Sequence, residues 1–179
     1  MKPKIEPINL QRKLSDQDII SSKTDLHGRI TYANRTFMEI SGYSETELLN
    51  QQHNIIRHPD MPRGVFHLMW QILKSGQEFF GFVKNLSADG GYYWVFATIT
   101  PYFDSGNKIR GYYSIRRNPP DSALEVMTPI YQEMLRIEHE NPVKMAPYYS
   151  IAYLNDMISQ SGVKSFEKMM LKLFKPSGL

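Results

Sequence analysis

The sequence of 179 residues contains no cysteine. Disulfide bonds, thiolate nucleophiles, zinc–thiolate sites and iron–sulfur clusters are therefore excluded, and a reducing cytoplasmic setting is the simplest expectation. Long apolar runs are also missing. No stretch approaches the roughly 20 apolar residues that span a bilayer, and the start of the chain is too polar for a signal peptide. Secretion and membrane insertion are consequently not expected.

Two further absences limit the class of function. The net charge of +3 is too small to indicate a nucleic-acid partner. The sequence has no phosphate-binding glycine loop, no nucleophile motif and no pair of metal ligands at helical spacing. We therefore do not expect an enzyme.

The hydrophobic content of 41% is enough for one core, so the length predicts one domain with extensions. Residues 1–18 are expected to form an arm, with a short helix near residues 10–14. The domain is expected over residues 19–118, where Asn-Pro-Pro marks its end. Residues 119–179 are predicted to form a helical extension.

Stretches rich in aromatic and β-branched residues predict five strands. They occupy residues 19–25, 29–33, 78–86, 92–103 and 108–117. Glycine-containing turns join the first two strands into a hairpin and the last three into a meander. Helical patterns fill the interval between the two groups. This order predicts an α+β fold, with helices gathered on one face of a five-stranded antiparallel sheet.

Capping signals place the helices of that interval. Asn34 stands where a helix N-cap belongs, and Ser44 with Glu47 forms a capping box for the next short helix. Apolar residues recur at helical spacing between positions 62 and 76, where Gly76 ends the pattern. The middle of the domain is therefore expected to hold two short helices and one longer one.

The extension is predicted to be helical as well. Ser122 and Glu125 match a second capping box, for a helix that reaches about His139 and is kinked at Pro129. A final helix over residues 163–175 has one apolar face and one lysine-bearing face. We expect this helix to pack on protein; peripheral contact with an anionic membrane is the alternative.

A polar stretch at residues 53–62 precedes the long helix. It contains His53, Arg57, His58 and Asp60, and its two prolines stiffen the backbone. A charged loop that leads into an apolar helix suits a ligand with an aromatic body and an anionic tail.

Several strings in this arrangement resemble the flavin-binding PAS domain of bacterial aerotaxis receptors, over about residues 18–132. They include Ala33-Asn34-x-Thr36-Phe37, Arg57-His58-Pro59-Asp60-Met61-Pro62, Tyr93-Trp94-Val95 and Gly111-Tyr112-x-Ser114-Ile115-Arg116. The resemblance implies a PAS fold that binds FAD without a covalent link. It also implies a sensor of redox state or oxygen, which signals to a downstream protein by contact in aerotaxis or a related pathway. One departure is Phe79, where the family has tryptophan.

Three of the candidate ligand contacts lie in the polar stretch. Arg57 and His58 are expected to bind the pyrophosphate or the ribityl chain. Asp60 would orient one of them or accept a hydrogen bond from a ligand hydroxyl, or it would cap the helix that follows. A solvated surface loop is the alternative interpretation.

Two further candidates come from sheet positions. Asn85 is the best candidate for the flavin ring, because its amide can both donate to and accept from the ring edge. Arg116 would stabilise a reduced, anionic flavin. An exposed strand charge is the other interpretation of Arg116.

Aromatic residues and one further asparagine complete the set of cofactor-binding candidates. Phe66 and Trp70, four residues apart, would flank a ring system, although ordinary core packing explains them equally well. Phe79 is expected to face the ligand beside Gly81, which would leave room for the ring. Asn34 is more simply a helix cap, with a ligand contact as the alternative.

Two other functions remain open. Haem is the main rival ligand, because His53, His58 and His67 lie in the helical region. A PAS module without a ligand, acting only in dimerisation, is the second alternative.

Alternation along the strands predicts that the sheet is apolar on both faces. Phe80, Phe82, Trp94, Phe96, Tyr113 and Ile115 would face away from the ligand. That outer face has to be covered by the N-terminal arm, by the helices after Pro120 or by a second copy of the chain. A homodimer is therefore expected.

Overall fold

The computed structural model describes residues 5–175. Its centre is an antiparallel sheet of five strands in the order β2-β1-β5-β4-β3. The strands are β1 (Ile20–Thr24), β2 (Ile30–Ala33), β3 (Phe79–Leu86), β4 (Tyr92–Phe103) and β5 (Ile109–Arg117). All five predicted strands are confirmed, and so is the antiparallel sheet.

The helices between β2 and β3 cover the inner face of this sheet. They are α1 (Arg35–Ser41), α2 (Glu45–Leu48), a single 3-10 turn (His53–Ile56) and α3 (Arg63–Lys74). Asn34 caps α1 as predicted, because its side chain accepts the amide hydrogen of Phe37. The capping box of Ser44 and Glu47 is also present.

Three helices follow the domain: α4 (Asp121–Glu140), α5 (Ala146–Gln160) and α6 (Phe166–Phe174). The predicted capping box of Ser122 and Glu125 is wrong. Helix α4 starts two residues earlier, after Pro120, and has no side-chain cap. Ser122 therefore lies inside the first turn, where its hydroxyl is past the N-cap position. The helix continues through Pro129.

The predicted short helix in the arm is wrong as well. The backbone amides of Ile8 and Arg12 donate to the carbonyl groups of Gly90 and Tyr92, and the amide of Tyr92 donates to Leu10. The arm therefore pairs with the β3–β4 turn and the start of β4, and its bond from the Leu10 amide to the Ile8 carbonyl is not helical. Its register leaves no room for helical bonds at these positions.

The outer face of the sheet is covered by the chain's own extension. The Trp94 ring stacks on Tyr131 of α4 at a centroid distance of 6.3 Å, and Phe96 stacks on Phe174 of α6 at 3.9 Å. The Tyr131 hydroxyl donates to the carbonyl oxygen of Phe82 at 2.9 Å. Of the three expected covers, the helices after Pro120 are therefore the one observed.

The lysine-bearing helix packs on protein, as expected. Met169 and Met170 of α6 are buried, and Phe166 at its start stacks on Phe79 at 5.7 Å. Within residues 5–175, no helix is long and apolar enough to cross a bilayer.

Candidate functional site

A cavity of about 890 Å³, counting the part open to solvent, lies between α3 and the inner face of the sheet. Its walls are apolar over most of their area, with a few polar groups between them. Residues of α3 on one wall are Phe66, Met69, Trp70 and Leu73; residues of the sheet on the other are Val83, Asn85, Ala97, Ile99, Tyr112, Ser114 and Arg116. A mostly apolar lining with a few polar groups is typical of small-molecule sites.

Of the described residues on the sheet side of this cavity, Arg116 on β5 is the one that is charged, and only 2% of its surface is exposed. One terminal nitrogen donates to the Ser22 hydroxyl. Its Nε and Nη1 are buried and have no hydrogen-bond partner among the described residues. Burial lowers the pKa of its guanidinium to about 10, so the group remains a cation at neutral pH.

Alternation along the strands explains why this arginine faces inward. Arg116 pairs with Ala97 on β4, and both line the cavity. The guanidinium carbon lies 4.6 Å from the centre of the Phe37 ring, which gives a cation–π contact. The interpretation of Arg116 as an exposed strand charge is therefore wrong.

His53 forms part of the wall beside Arg116. Its ring stacks on Phe37 at 5.7 Å, and its Nε2 lies 3.5 Å from the Ser22 hydroxyl. Burial and the nearby Arg116 lower the pKa of His53 to about 3. The imidazole is consequently neutral at physiological pH, and it does not compete with Arg116 for an anion.

Asn85 on β3 also faces the cavity, and only 4% of its surface is exposed. Its side-chain amide forms no hydrogen bond with any other described residue. A backbone bridge pairs Asn85 with Arg57, which brings the loop before α3 against this strand. A buried amide aimed into an apolar cavity is suited to both donate to and accept from a planar polar ligand.

Arg57 lies on the wall where the 3-10 turn meets the sheet. One terminal nitrogen donates to the Met61 carbonyl at 2.9 Å, and the guanidinium carbon lies 4.2 Å from the centre of the Phe66 ring. Burial lowers the pKa of Arg57 from its ordinary value. These contacts hold the cation at the cavity wall, which a solvated loop would not do.

Trp70 completes the aromatic wall. Its ring meets Tyr112 edge to face at 5.3 Å. Gly28 of the β1–β2 turn also lies close to this ring, and a Cβ atom there would stand only 3.2 Å from the indole. Glycine therefore allows the turn to approach this ring.

The cavity brings together five of the nine residues predicted to bind the cofactor: Arg57, Phe66, Trp70, Asn85 and Arg116. The other four lie elsewhere. Asn34 accepts the amide hydrogens of Ser21 and Phe37 and donates to the Ile19 carbonyl, so all its bonds serve β1 and α1.

His58 and Asp60 do not line the cavity. The His58 ring is buried, where its Nδ1 accepts the Asp60 amide hydrogen at 3.1 Å and its edge meets Tyr92. Asp60 forms an ion pair with Lys84 at 2.6 Å. It does not cap α3, which has no side-chain cap from the preceding residues.

Phe79 lies outside the cavity for a different reason. Its ring folds over Gly81, where a Cβ atom would be 2.7 Å from it, and stacks on Phe166 of α6. The space that Gly81 was expected to leave for a ligand ring is therefore filled by Phe79 itself.

Sequence reasoning missed several wall residues. Gly28, Gln52 and Asn54 line the cavity from the β1–β2 turn and the 3-10 turn, and Ser22 binds Arg116 from β1. The alternating burial of β1 points Ser22 to the inner face, so strand parity could have identified it. No group of three or more potential metal ligands occurs in the part of the chain that the structure describes.

Comparison with known proteins agrees with this architecture. Residues 30–116 match a family model described as PAS fold. The aerotaxis receptor of Escherichia coli (strain K12) is 44% identical over 121 residues, which are 68% of this chain and 24% of the receptor. The nitrogen fixation regulatory protein of Klebsiella pneumoniae is 36% identical over 97 residues, 54% of this chain and 20% of that protein. The chain thus spans a quarter or less of the length of these two relatives.

A solved structure gives the same fold. The light-state structure of the blue-light photoreceptor Aureochrome1 LOV has a TM-score of 0.56 and 18% identity, over 64% of this chain and 91% of that chain. The strand order, the helices on the inner face and the match over residues 30–116 together show that the chain contains a PAS domain, a sensor module similar in sequence to that of the aerotaxis receptor.

Proposed function

We propose that the chain binds FAD in this cavity, senses redox state or oxygen, and passes its signal to another protein by contact. Arg116 carries this proposal. It is a buried cation that lines the cavity, and two of its nitrogens have no hydrogen-bond partner within residues 5–175. A buried polar group without a partner costs roughly 1–3 kcal/mol, and more if it is charged. A ligand with acceptor atoms and a negative charge would remove that cost.

The remaining walls fit a flavin ring system. Asn85 presents an amide to the same space, and a flavin edge carries neighbouring carbonyl and N–H groups for it. Phe66 and Trp70 supply aromatic surface for a planar ring. Arg57 adds a second cation at the wall, suited to a phosphate of the same ligand. A bound flavin supplies reversible electron transfer.

The similarity to the aerotaxis receptor supports the choice of FAD and of a sensing role. Reduction of a bound ring adds negative charge, and Arg116 and Asn85 would respond to that change from β5 and β3. Both strands belong to the sheet, and helices α4 and α6 pack on the outer face of that sheet. A change in flavin charge at the inner face can thus be transmitted through the sheet to α4 and α6, whose outer surfaces another protein can contact.

The absorption spectrum of the purified chain tests the proposal. We expect the two bands of oxidised flavin, and chromatography of the heat-released chromophore should give FAD at about one per chain. Reconstitution with FAD should restore the bands if the protein is purified without the ligand. A chain that stays colourless after reconstitution would contradict the proposal and favour a module that acts only by dimerisation.

Haem is a second candidate because His53 lines the cavity and is neutral, as an iron ligand must be. His58 and His67 are less suited, since His58 faces Tyr92 and His67 meets Tyr148 of α5. An intense Soret band in the same spectrum would establish haem and exclude the flavin.

A further inference from the structure

Glu138 of α4 is a buried carboxylate that joins three helices. Only 3% of its side chain is exposed. Its Oε2 accepts the amide hydrogen of Arg63 at 2.9 Å, and its Oε1 accepts that of Gly64 at 2.8 Å. Ser150 of α5 donates its hydroxyl to the same Oε1, also at 2.8 Å. A single side chain thus connects the start of α3 with two helices of the extension.

Helix α3 depends on this carboxylate for its start. The residues before α3 provide no side-chain cap, so its first amide groups would otherwise be unpaired. A buried carboxylate in turn needs donors, and the positive end of a helix is a favourable place for it. The Nε of Arg63 adds a further contact at 3.4 Å. The carboxylate of Glu138 therefore pairs the first amides of α3, and these amides supply the donors that the buried carboxylate needs.

Close packing reinforces the connection between α3 and α5. A Cβ atom at Gly64 would collide with the Ser150 hydroxyl and lie 3.1 Å from the Pro147 carbonyl. Only glycine permits this approach. The same helix presents Phe66, Met69, Trp70 and Leu73 to the cavity further along.

We propose that Glu138 is a positioning residue that couples occupancy of the cavity to the packing of α4 and α5. A ligand that orders the α3 side chains stabilises the helix whose first amides Glu138 holds. Because coupling between two sites is reciprocal, loss of the Glu138 contacts weakens ligand binding, and ligand binding protects those contacts. The identity of the ligand rests on the proposed function; the contacts of Glu138 do not.

Hydrogen exchange of the full chain, measured with and without FAD, tests this role. Glu138→Gln keeps the shape of the side chain but offers one acceptor oxygen in place of two. Glu140→Gln is the matched control, because Glu140 lies two residues further along α4 and its side chain contacts exposed Arg136. Without FAD, amides in the first two turns of α3 and in α5 should exchange about tenfold faster in Glu138→Gln only.

The measurements with FAD give a second expected result. The FAD dissociation constant should rise about tenfold in Glu138→Gln, within the usual range of coupling between sites. The protection that FAD gives to α5 in the wild type should also be lost. Ser150→Ala keeps the carboxylate and both α3 amide bonds, so it replaces Glu138→Gln if that variant does not fold. It should diminish the FAD-induced protection of α5 alone.

The outcomes separate the two proposals. Unchanged FAD affinity together with full protection of α5 in Glu138→Gln would overturn the role of Glu138. A wild type that binds no FAD would contradict the proposed function instead. Exchange without ligand then tests the contacts on which the coupling depends: faster exchange of α3 and α5 in Glu138→Gln supports Glu138 as the connection between these helices, and rates equal to the wild type overturn the proposal.

Discussion

Arg116 determines the chemistry of the cavity at the scale of a single side chain. Burial lowers its pKa to about 10, which still leaves it charged at neutral pH. The Ser22 hydroxyl and the Phe37 ring contact the guanidinium, but neither carries a negative charge. A ligand gains more from this cation in an anionic form than in a neutral one.

His53 gives a prediction for pH dependence. Its folded-state pKa of about 3 lies below the ordinary value of 6.5, chiefly because of burial. Below pH 6.5 the unfolded chain therefore binds a proton that the folded chain does not. The free energy of unfolding should fall with decreasing pH, by up to about 1.4 kcal/mol per unit, until about pH 3.

Denaturant titrations of the flavin-free protein between pH 7 and 4 measure this slope. His53→Gln should reduce it, whereas His27→Gln, at an exposed turn position, should not. Equal slopes in His53→Gln and the wild type would show that His53 does not titrate as described.

Asn85 and Arg57 give a second prediction at the same scale. Asn85→Ala removes the amide from the cavity, and Arg57→Ala removes a cation from its wall. Each should weaken FAD binding by roughly 1–3 kcal/mol, which is about one to two decades in the dissociation constant. Flavin fluorescence titration measures the change, with Arg35→Ala as the control because that side chain is exposed on α1. Wild-type affinity in both variants would place the ligand elsewhere.

At the scale of elements, Asn34 shows how one cap holds a helix and a strand together. Its side chain binds α1 through Phe37, β1 through Ser21, and the residue before β1, Ile19. Asn34→Ala should lower the free energy of unfolding by about 1–2 kcal/mol, as losses of helix caps do. FAD affinity should stay unchanged. Weaker FAD binding without a loss of stability would instead indicate a direct ligand contact.

Most elements follow from local sequence signals. Asn85 was expected to face the ligand, and strand alternation predicted that Trp94 and Phe96 face the other way. In the structure Asn85 faces the cavity, and Trp94 and Phe96 face the helices of the extension. The caps of α1 and α2 were also predicted, because the partners lie three residues apart in sequence.

Contacts between distant segments were not predictable in the same way. Phe79 has the right parity for the inner face, but its ring lies over Gly81 and stacks on Phe166. Phe166 lies far along the chain. Asp60 stands where a cap for α3 is expected, yet Lys84 binds it and Glu138 takes the helix amides. Long-range partners of this kind leave no periodic signal in the sequence.

At the scale of the whole molecule, the extension completes the core of the domain. Trp94→Asp would bring a carboxylate against Tyr131 of α4, on the face away from the cavity. The free energy of unfolding should fall by roughly 2–4 kcal/mol, because an unpaired charge replaces apolar packing. Bound FAD should remain, since residue 94 does not line the cavity.

Denaturant unfolding and the flavin spectrum of this variant separate stability from binding. Sedimentation velocity tests the predicted homodimer independently, and the variant should sediment like the wild type because the cover of this face comes from the same chain. Wild-type stability in Trp94→Asp would contradict the described packing of α4 on the sheet.

The proposed binding of FAD at Arg116 is tested most directly by titrating three flavin-free proteins with FAD: the wild type, Arg116→Gln and Arg117→Gln. Arg117 is the next residue on β5 and is exposed, which makes it the matched control. We predict that Arg116→Gln weakens FAD binding by about one to two decades, as loss of a charge-assisted contact does, and that Arg117→Gln leaves it unchanged. Equal affinity in Arg116→Gln and the wild type would contradict this account of the cavity.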